Sequence, residues 1–326
     1  LQLLFRDRGV DLEIAGTDDY QALIDRPDVD LVVVTTPQCA HKDPVVAALE
    51  SGKKVYLDKP IAHTLEDAIA IAEAEKRTKN PMILGFTRRY ERSWLKAYDL
   101  LQSGVIGELH MIQIRDIIPF HNFFHRWTRR REWSGDAVND KSSHHMDVFN
   151  WFTGSRAEKI TGFGGRRVYL PKEDYPERCM ECDLDCPYRV DPTRDKMVSQ
   201  EGRSVTGDSW ENASDDYSRA DTCVFKPGAD ILDHAVVQVA YENGMVASLF
   251  LSFFGPKAED QETLELVGTK GRIMLTRHTG MIDVVTNYGE RHEVIDCKHK
   301  TFGSTHFGAD LELVWQIRKF CDGSPP

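Results

Sequence analysis

The 326-residue sequence contains no apolar run approaching the roughly 20 residues that a membrane-spanning helix requires, so no membrane partner is expected. Basic residues are in deficit: 41 Lys and Arg stand against 52 Asp and Glu, a formal net charge of -11. A nucleic-acid binder needs a basic face to displace counterions, which sets that partner aside; the acidity bears on solubility and not on fold. No internal repeat and no low-complexity tract occurs, which sets repeat architectures aside. No charged n-region opens the chain, so no secretory leader is read and a cytoplasmic location is expected. The start at Leu1 and the loop-like ending Asp322-Gly323-Ser324-Pro325-Pro326 read as a fragment cut at both ends.

Cysteine is sparse and odd in number, seven in all, with Cys39, Cys297 and Cys321 isolated. A chain of this length does not need disulfides, so the remaining cluster reads as a metal site in a reducing compartment. Cys179-x-x-Cys182-x-x-x-Cys186-Pro187 with Cys223 offers four thiolates, enough for a structural Zn²⁺ pinning a long insertion over about 171–230. The Cys-Pro ending makes an iron–sulfur cluster the second choice, and four reduced cysteines or a disulfide remain the plain alternative.

What is present is an ordinary globular composition, 41% hydrophobic and 29% charged, on a length that suits two domains. Up to about residue 88, strand and helix signals alternate. Strands are expected at Asp30–Thr36, Lys54–Leu57 and Pro81–Phe86, and helices at Pro44–Glu50 and at Leu65–Arg77 behind an N-cap at Thr64. That alternation implies crossovers and a parallel sheet. After a helix at Ser93–Gln102, longer strands with turn signals follow: His110–Ile118, Lys159–Tyr169, Asp233–Tyr241, Met245–Phe254 and four more up to Asp296. Ala235, Val237, Val239 and Tyr241 form one apolar face, which describes a mostly antiparallel sheet covered on one side. Met245–Phe254 carries apolar residues on both faces, from which a homo-oligomer is expected, although helices could cover it equally well.

Asp58-Lys59-Pro60 directly follows a strand, where open parallel sheets bind ligands, so the Lys59 ammonium is a candidate cleft group. Asp140, His144 and Asp147, spaced i, i+4 and i+7, share one face of a helix that opens near Asn139 and ends at Gly154. A carboxylate one turn from an imidazole can orient a general base, although Asp140 read alone is as well explained as an N-cap.

Taken in order, these motifs resemble the Gfo/Idh/MocA oxidoreductases. Thr36-Pro37-Gln38 followed by His41, Asp58-Lys59-Pro60, Gly85-Phe86-Thr87-Arg88-Arg89-Tyr90 and Ser103-Gly104-Val105-Ile106-Gly107-Glu108 each match an element of that family. So do Asp140-Lys141-Ser142-Ser143-His144-His145-Met146-Asp147 and His306-Phe307-Gly308-Ala309-Asp310. The resemblance covers essentially the whole chain. It departs in the acid Asp58 in place of Glu, in Ser142 for glycine, in the extra cation Lys141, and in lacking the glycine-rich dinucleotide fingerprint.

The resemblance implies an α/β fold, with an incomplete Rossmann domain over 1–88 and an α+β substrate domain over 89–326. It implies hydride transfer between NAD or NADP and a hydroxyl-bearing carbon of a sugar, sugar acid or cyclitol. His144 would be the base, Lys59 the partner of the developing alkoxide, and Asp140 the residue orienting substrate or imidazole. Cofactor contacts would be Thr35, Thr36, Pro37, Gln38, His41, Asp58 and Arg89, with an ion pair as the rival role for Arg89. The residue that separates NAD from NADP would lie in the missing part. His121, His125 and Trp127 would belong to a substrate-facing loop. A non-catalytic sensor and a redox-neutral cofactor-assisted glycosidase are the alternative functions of this fold.

Overall fold

The β-branched run at Leu31 and the two segments after it form parallel strands β1 (Leu31–Val34), β2 (Lys54–Leu57) and β3 (Met82–Leu84), adjacent in that order. The computed structural model describes residues 17, 19–118, 121–191, 221–256, 258–297 and 306–325, so the middle of the expected insertion lies outside it. Eight helices occur among the described residues. They are α1 (Tyr20–Ile24), α2 (Lys42–Glu50), α3 (Leu65–Thr78), α4 (Arg92–Gln102), α5 (His121–Phe124), α6 (Arg131–Ser134), α7 (Ala137–Thr153) and α8 (Ala309–Cys321).

Helices α2 and α3 form the crossovers and turn Val45, Ala48, Leu49, Ile71 and Ala74 against Val34, Val55 and Leu57 of the sheet. Thr64 caps α3 by accepting from the Asp67 amide at 3.2 Å, with Glu66 and Asp67 in the first turn and Lys76 and Arg77 in the last, each matched to the helix dipole. The opposite face of the sheet is closed from far along the chain, since Leu313 and Phe320 of α8 pack on Tyr56 and Ile83. Lys54 donates to the carbonyls of Phe320 and Cys321, fastening the end of α8.

The second sheet has the order β11-β10-β9-β8-β4-β7-β6-β5. In chain order its strands are β4 (Leu109–Ile117), β5 (Ala157–Gly165), β6 (His234–Tyr241), β7 (Val246–Ser252), β8 (Glu262–Gly268), β9 (Gly271–Thr276), β10 (Met281–Thr286) and β11 (Arg291–Asp296). Every pairing is antiparallel except β4 with β7. Trp94 and Ala97 of α4 and Val148, Phe149 and Phe152 of α7 cover one face and bury Ile112, Ile114, Leu249, Leu264 and Leu266. The other face stays bare among the described residues. Phe163 is 83% exposed, Met111 54% and Phe250 44%.

Strands β1, β3 and β7 are trimmed at both ends relative to expectation, and β5 stops at Gly165 instead of reaching Tyr169. There the Asp233 carboxylate accepts the amides of Arg167 (2.8 Å), Val168 (2.6 Å) and Tyr169 (3.2 Å) and takes the place of a strand partner. The turn drives Tyr169 into the core, where its hydroxyl donates to the Phe253 carbonyl at 3.0 Å.

The helix expected to open near Asn139 begins earlier, capped by Asp136, whose Oδ1 accepts the Val138 amide at 2.9 Å. Gly135 ahead of it sits at φ +73°, and a Cβ there would lie 2.4 Å from the His63 carbonyl oxygen. This close approach sets α7 against the first domain. With the capping role taken by Asp136, the Asp140 side chain is left to face the cleft.

Candidate active site

Between the two sheets lies a cleft of about 600 Å³, lined among others by Thr35, Thr36, Gln38, Asp58, Lys59, Asp140 and His144. The first five stand at the carboxyl ends of β1 and β2, and the last two come from the first turns of α7. Lys59 Nζ reaches both Asp140 carboxylate oxygens at 3.1 Å and the Asp140 carbonyl at 3.4 Å. Gln38 Nε2 donates to Asp140 Oδ1 at 2.5 Å. Asp140 is thus gripped from both strand ends of the first domain and is 7% exposed.

His144 follows one turn later and is 5% exposed, with Phe86 edge-on at 6.0 Å between ring centroids. Its Nδ1 is buried with no hydrogen-bond partner, which leaves Nε2 as the nitrogen turned to the cleft. Burial, reinforced by the charges of Arg88, Lys59, Lys141 and His145, holds its pKa well below the usual histidine value near 6.5. The imidazole is therefore neutral and able to accept a proton.

The other expected contacts divide. Thr35, Thr36, Gln38 and Asp58 line the cleft. Asp58 Oδ1 accepts the Lys59 amide at 2.9 Å, and Gly85 approaches so closely that a Cβ there would lie 2.9 Å from that same oxygen. Pro37 and His41 are not cleft-lining residues. His41, 1% exposed, stands between the Thr36 carbonyl (2.9 Å from Nε2) and the Pro60 carbonyl (3.0 Å from Nδ1), so it ties together the turns that carry Gln38 and Lys59. Arg89 forms a two-pronged ion pair with Asp147 of α7, at 2.8 Å at its shortest, beside Trp151. This is the rival role anticipated for it. Trp127 faces the cleft as expected, whereas His125 turns to the Thr222 carbonyl at the base of the insertion. The His121 side chain lies outside the described residues.

The zinc site expected of the four cysteines is not supported by the structure. Cys179 and Cys223 are drawn together by the Arg178–Thr222 bridge, yet no three of the four sulfurs lie at ligand spacing. All four are free thiols; Cys223 belongs to the large core and Cys186 packs against it. Burial pushes the Cys179 thiol up to about 11 and raises Cys223 as well, and the neighbouring thiols of the group add to both shifts.

A buried charge cluster behind His144 escaped the sequence reading. Asp116 of β4 is directly paired with Glu262 of β8, placing two carboxylates side by side in the sheet, an arrangement that is unfavourable unless compensated. Arg88 grips Glu262 through contacts at 2.7 and 2.9 Å, and Arg277 joins Glu91 at 2.6 Å and Glu262 at 3.2 Å. Lys141 Nζ lies 3.2 Å from Asp116, with His145 at 3.2 Å from Asp116 and 3.5 Å from Glu262. Asp116, His145 and Glu262 are close enough for metal ligation, but the flanking cations already balance the carboxylates. Arg88 and Glu262 are 174 residues apart, and no local pattern announces such a pair.

Residues 7–86 match the description "Oxidoreductase family, NAD-binding Rossmann fold", and residues 99–321 match "Oxidoreductase family, C-terminal alpha/beta domain", both of Gfo/Idh/MocA. The chain belongs to the Gfo/Idh/MocA oxidoreductase family. Within it, YteT of Bacillus subtilis (strain 168), named as an oxidoreductase, is 28% identical over 269 residues, 78% of this chain and 61% of that protein. The inositol 2-dehydrogenase of Salmonella typhimurium (strain LT2) is 29% identical over 163 residues, 50% of this chain and 45% of that enzyme. The chain thus spans less than two thirds of the length of either relative. An oxidoreductase domain protein from Kribbella flavida shares the fold at TM-score 0.68 and 19% identity, covering 94% of this chain and 75% of that one. A levoglucosan dehydrogenase in complex with NADH and levoglucosan does so at 0.64 and 18%, covering 86% and 64%. No helix among the described residues of this family member is long and apolar enough to cross a membrane.

Proposed function

We propose that the complete protein is an NAD(P)-dependent dehydrogenase that oxidises a carbinol carbon of a sugar, sugar acid or cyclitol. The observation that carries this reading is the convergence of Lys59, Asp140 and a neutral His144 on one cleft beyond the ends of the parallel strands. The residues present fit the nicotinamide end of a dinucleotide. Thr35, Thr36 and Asp58 line the cleft, and Gln38 Oε1 is a buried acceptor with no partner, suited to an amide or hydroxyl donor. When bound, the nicotinamide supplies the hydride acceptor.

His144 accepts the substrate hydroxyl proton at Nε2. The depressed basicity of the ring makes it a modest base, and Lys59 offsets this by donating to the same hydroxyl oxygen and stabilising the alkoxide as it forms. Asp140 holds the Lys59 ammonium in place. A screen of the complete protein with NAD and NADP against aldoses, uronates and cyclitols tests the reading by the appearance of reduced nicotinamide. Cofactor binding without reduction by any polyol would favour a sensor.

The bare face of the second sheet supports self-association. A concavity of about 910 Å³ there is lined by Met111, Ile160, Val246 and Val267, among others, and holds none of the catalytic candidates. We expect Phe163→Asp to reduce the mass measured by light scattering to that of a single chain; a wild-type protein that is already monomeric contradicts this.

A further inference from the structure

The cleft wall opposite the strand ends presents cations whose partners lie behind them. Arg88, Arg277 and Lys141 line the cleft, whereas Glu91, Glu262 and Asp116, which balance them, are at most 1% exposed and do not line it. The two carboxylates that do line the cleft, Asp58 and Asp140, stand at the catalytic end, and Asp140 is held by Lys59. Arg88 is clasped along one edge by Glu262 and is almost wholly buried. Lys141 differs. Its side chain is 18% exposed, its Nζ is 3.2 Å from Asp116, and neither Asp116 oxygen is in a hydrogen bond. The ammonium therefore balances Asp116 by charge while its N–H groups remain for a ligand. Lys141 also lies one helical turn before His144, so a group bound to it adjoins the reacting carbon.

We propose that this cleft selects substrates bearing an acidic oxygen group, a carboxylate or a phosphate ester, and that Lys141 is the residue that reads it. The proposal rests on the dehydrogenase reading and narrows its substrate class. Burial depresses the Lys141 pKa despite Asp116 and Glu262, as expected of an ammonium that lacks its full complement of partners. A charge-assisted hydrogen bond of this kind is worth about 10- to 100-fold in affinity.

The test compares glucose, glucuronate and glucose 6-phosphate as substrates of the complete protein and of its Lys141→Gln and Lys141→Arg variants. One of the two acids should exceed glucose in kcat/KM by about 10-fold or more, and which of them does so identifies the anion. Lys141→Gln should raise the KM of that acid by about 10- to 100-fold relative to the KM for glucose, whatever change in kcat the two substrates share, and Lys141→Arg should keep the preference. Equal use of glucose and both acids by the wild type overturns the proposal. So does an equal loss for neutral and acidic substrates in Lys141→Gln, which would make Lys141 only a counter-ion to Asp116. If Lys141→Gln does not fold, the wild-type KM for the acid should rise with ionic strength while that for glucose does not; two parallel responses count against the proposal. If none of the three is oxidised, the dehydrogenase reading is decided by the wider screen of aldoses, uronates and cyclitols and not by this comparison. Selectivity is then read from quenching of tryptophan fluorescence, since Trp127 lines the cleft. Preferential binding of an acid upholds the proposal, and equal binding ends it.

Discussion

His144→Ala is expected to lower kcat by about 10²- to 10⁴-fold while leaving the dissociation constant of NAD(P) nearly unchanged, because the imidazole handles the substrate proton and does not grip the cofactor. The pH dependence carries a second signature. Burial first, then the charges of Arg88, Lys59, Lys141 and His145, depress the folded-state pKa below 6.5. A depressed value keeps the ring neutral until the pH falls through it, so the acidic limb of kcat/KM should lie below the usual histidine range. The same displacement links to stability. Burying the neutral ring costs nothing extra above 6.5, and the fold is penalised as the pH drops below that value and the unfolded chain takes up the proton. Unchanged turnover in His144→Ala, or an acidic limb above 6.5, would remove His144 as the base.

Arg277→Met is expected to destabilise the fold by about 3–5 kcal/mol, since it strands the buried Glu91 carboxylate and takes from Glu262 one of the cations that balance it. Glu91 and Glu262 outweigh the burial of Arg277 and hold its pKa above the ordinary value. In return Arg88, Arg277 and Lys141 outweigh the burial of Glu262 and hold its pKa well below 4.5. The stability contributed by Glu262 is therefore present above 4.5 and lost as the pH falls through its lower folded value. The loss in Arg277→Met should appear as a lower urea midpoint with an unchanged slope. Adding Glu91→Gln should recover part of it by removing one stranded charge. A loss of less than about 1 kcal/mol, or no recovery in the double variant, would mean that water or relaxation compensates the cluster.

Local features of the site were legible in the residues, and partnerships across long separations were not. β2 falls on Lys54–Leu57 as read, because a short β-branched and aromatic run ends at a proline turn. α3 starts behind Thr64 as read, and α7 ends at Gly154 in the left-handed conformation as read. The i, i+4, i+7 spacing placed Asp140, His144 and Asp147 on one face; Asp140 reaches Lys59, His144 lines the cleft and Asp147 pairs with Arg89. The start of α7 was misread because Asp136 and Asp140 are both plausible caps, and only the close approach of Gly135 to His63 decides between them. His41 looked like a cofactor contact because it stands near a strand end, where a ligand group and a clamp between two turns look alike in sequence. The cysteine spacing suited a metal and did bring the four thiols into one neighbourhood, but spacing does not report the distances at which the sulfurs settle. The cluster of Arg88, Glu262 and Arg277 depends on β8 pairing with β4, a long-range event without a local signal.

The most direct test of the central claim follows a deuterium atom placed on the carbinol carbon of a substrate identified in the screen. The account predicts that the label appears on the nicotinamide ring of the reduced cofactor released by the complete protein, at a rate that His144→Ala lowers with turnover. Reduced cofactor without label, or label retained in the product with no net cofactor reduction, would contradict it.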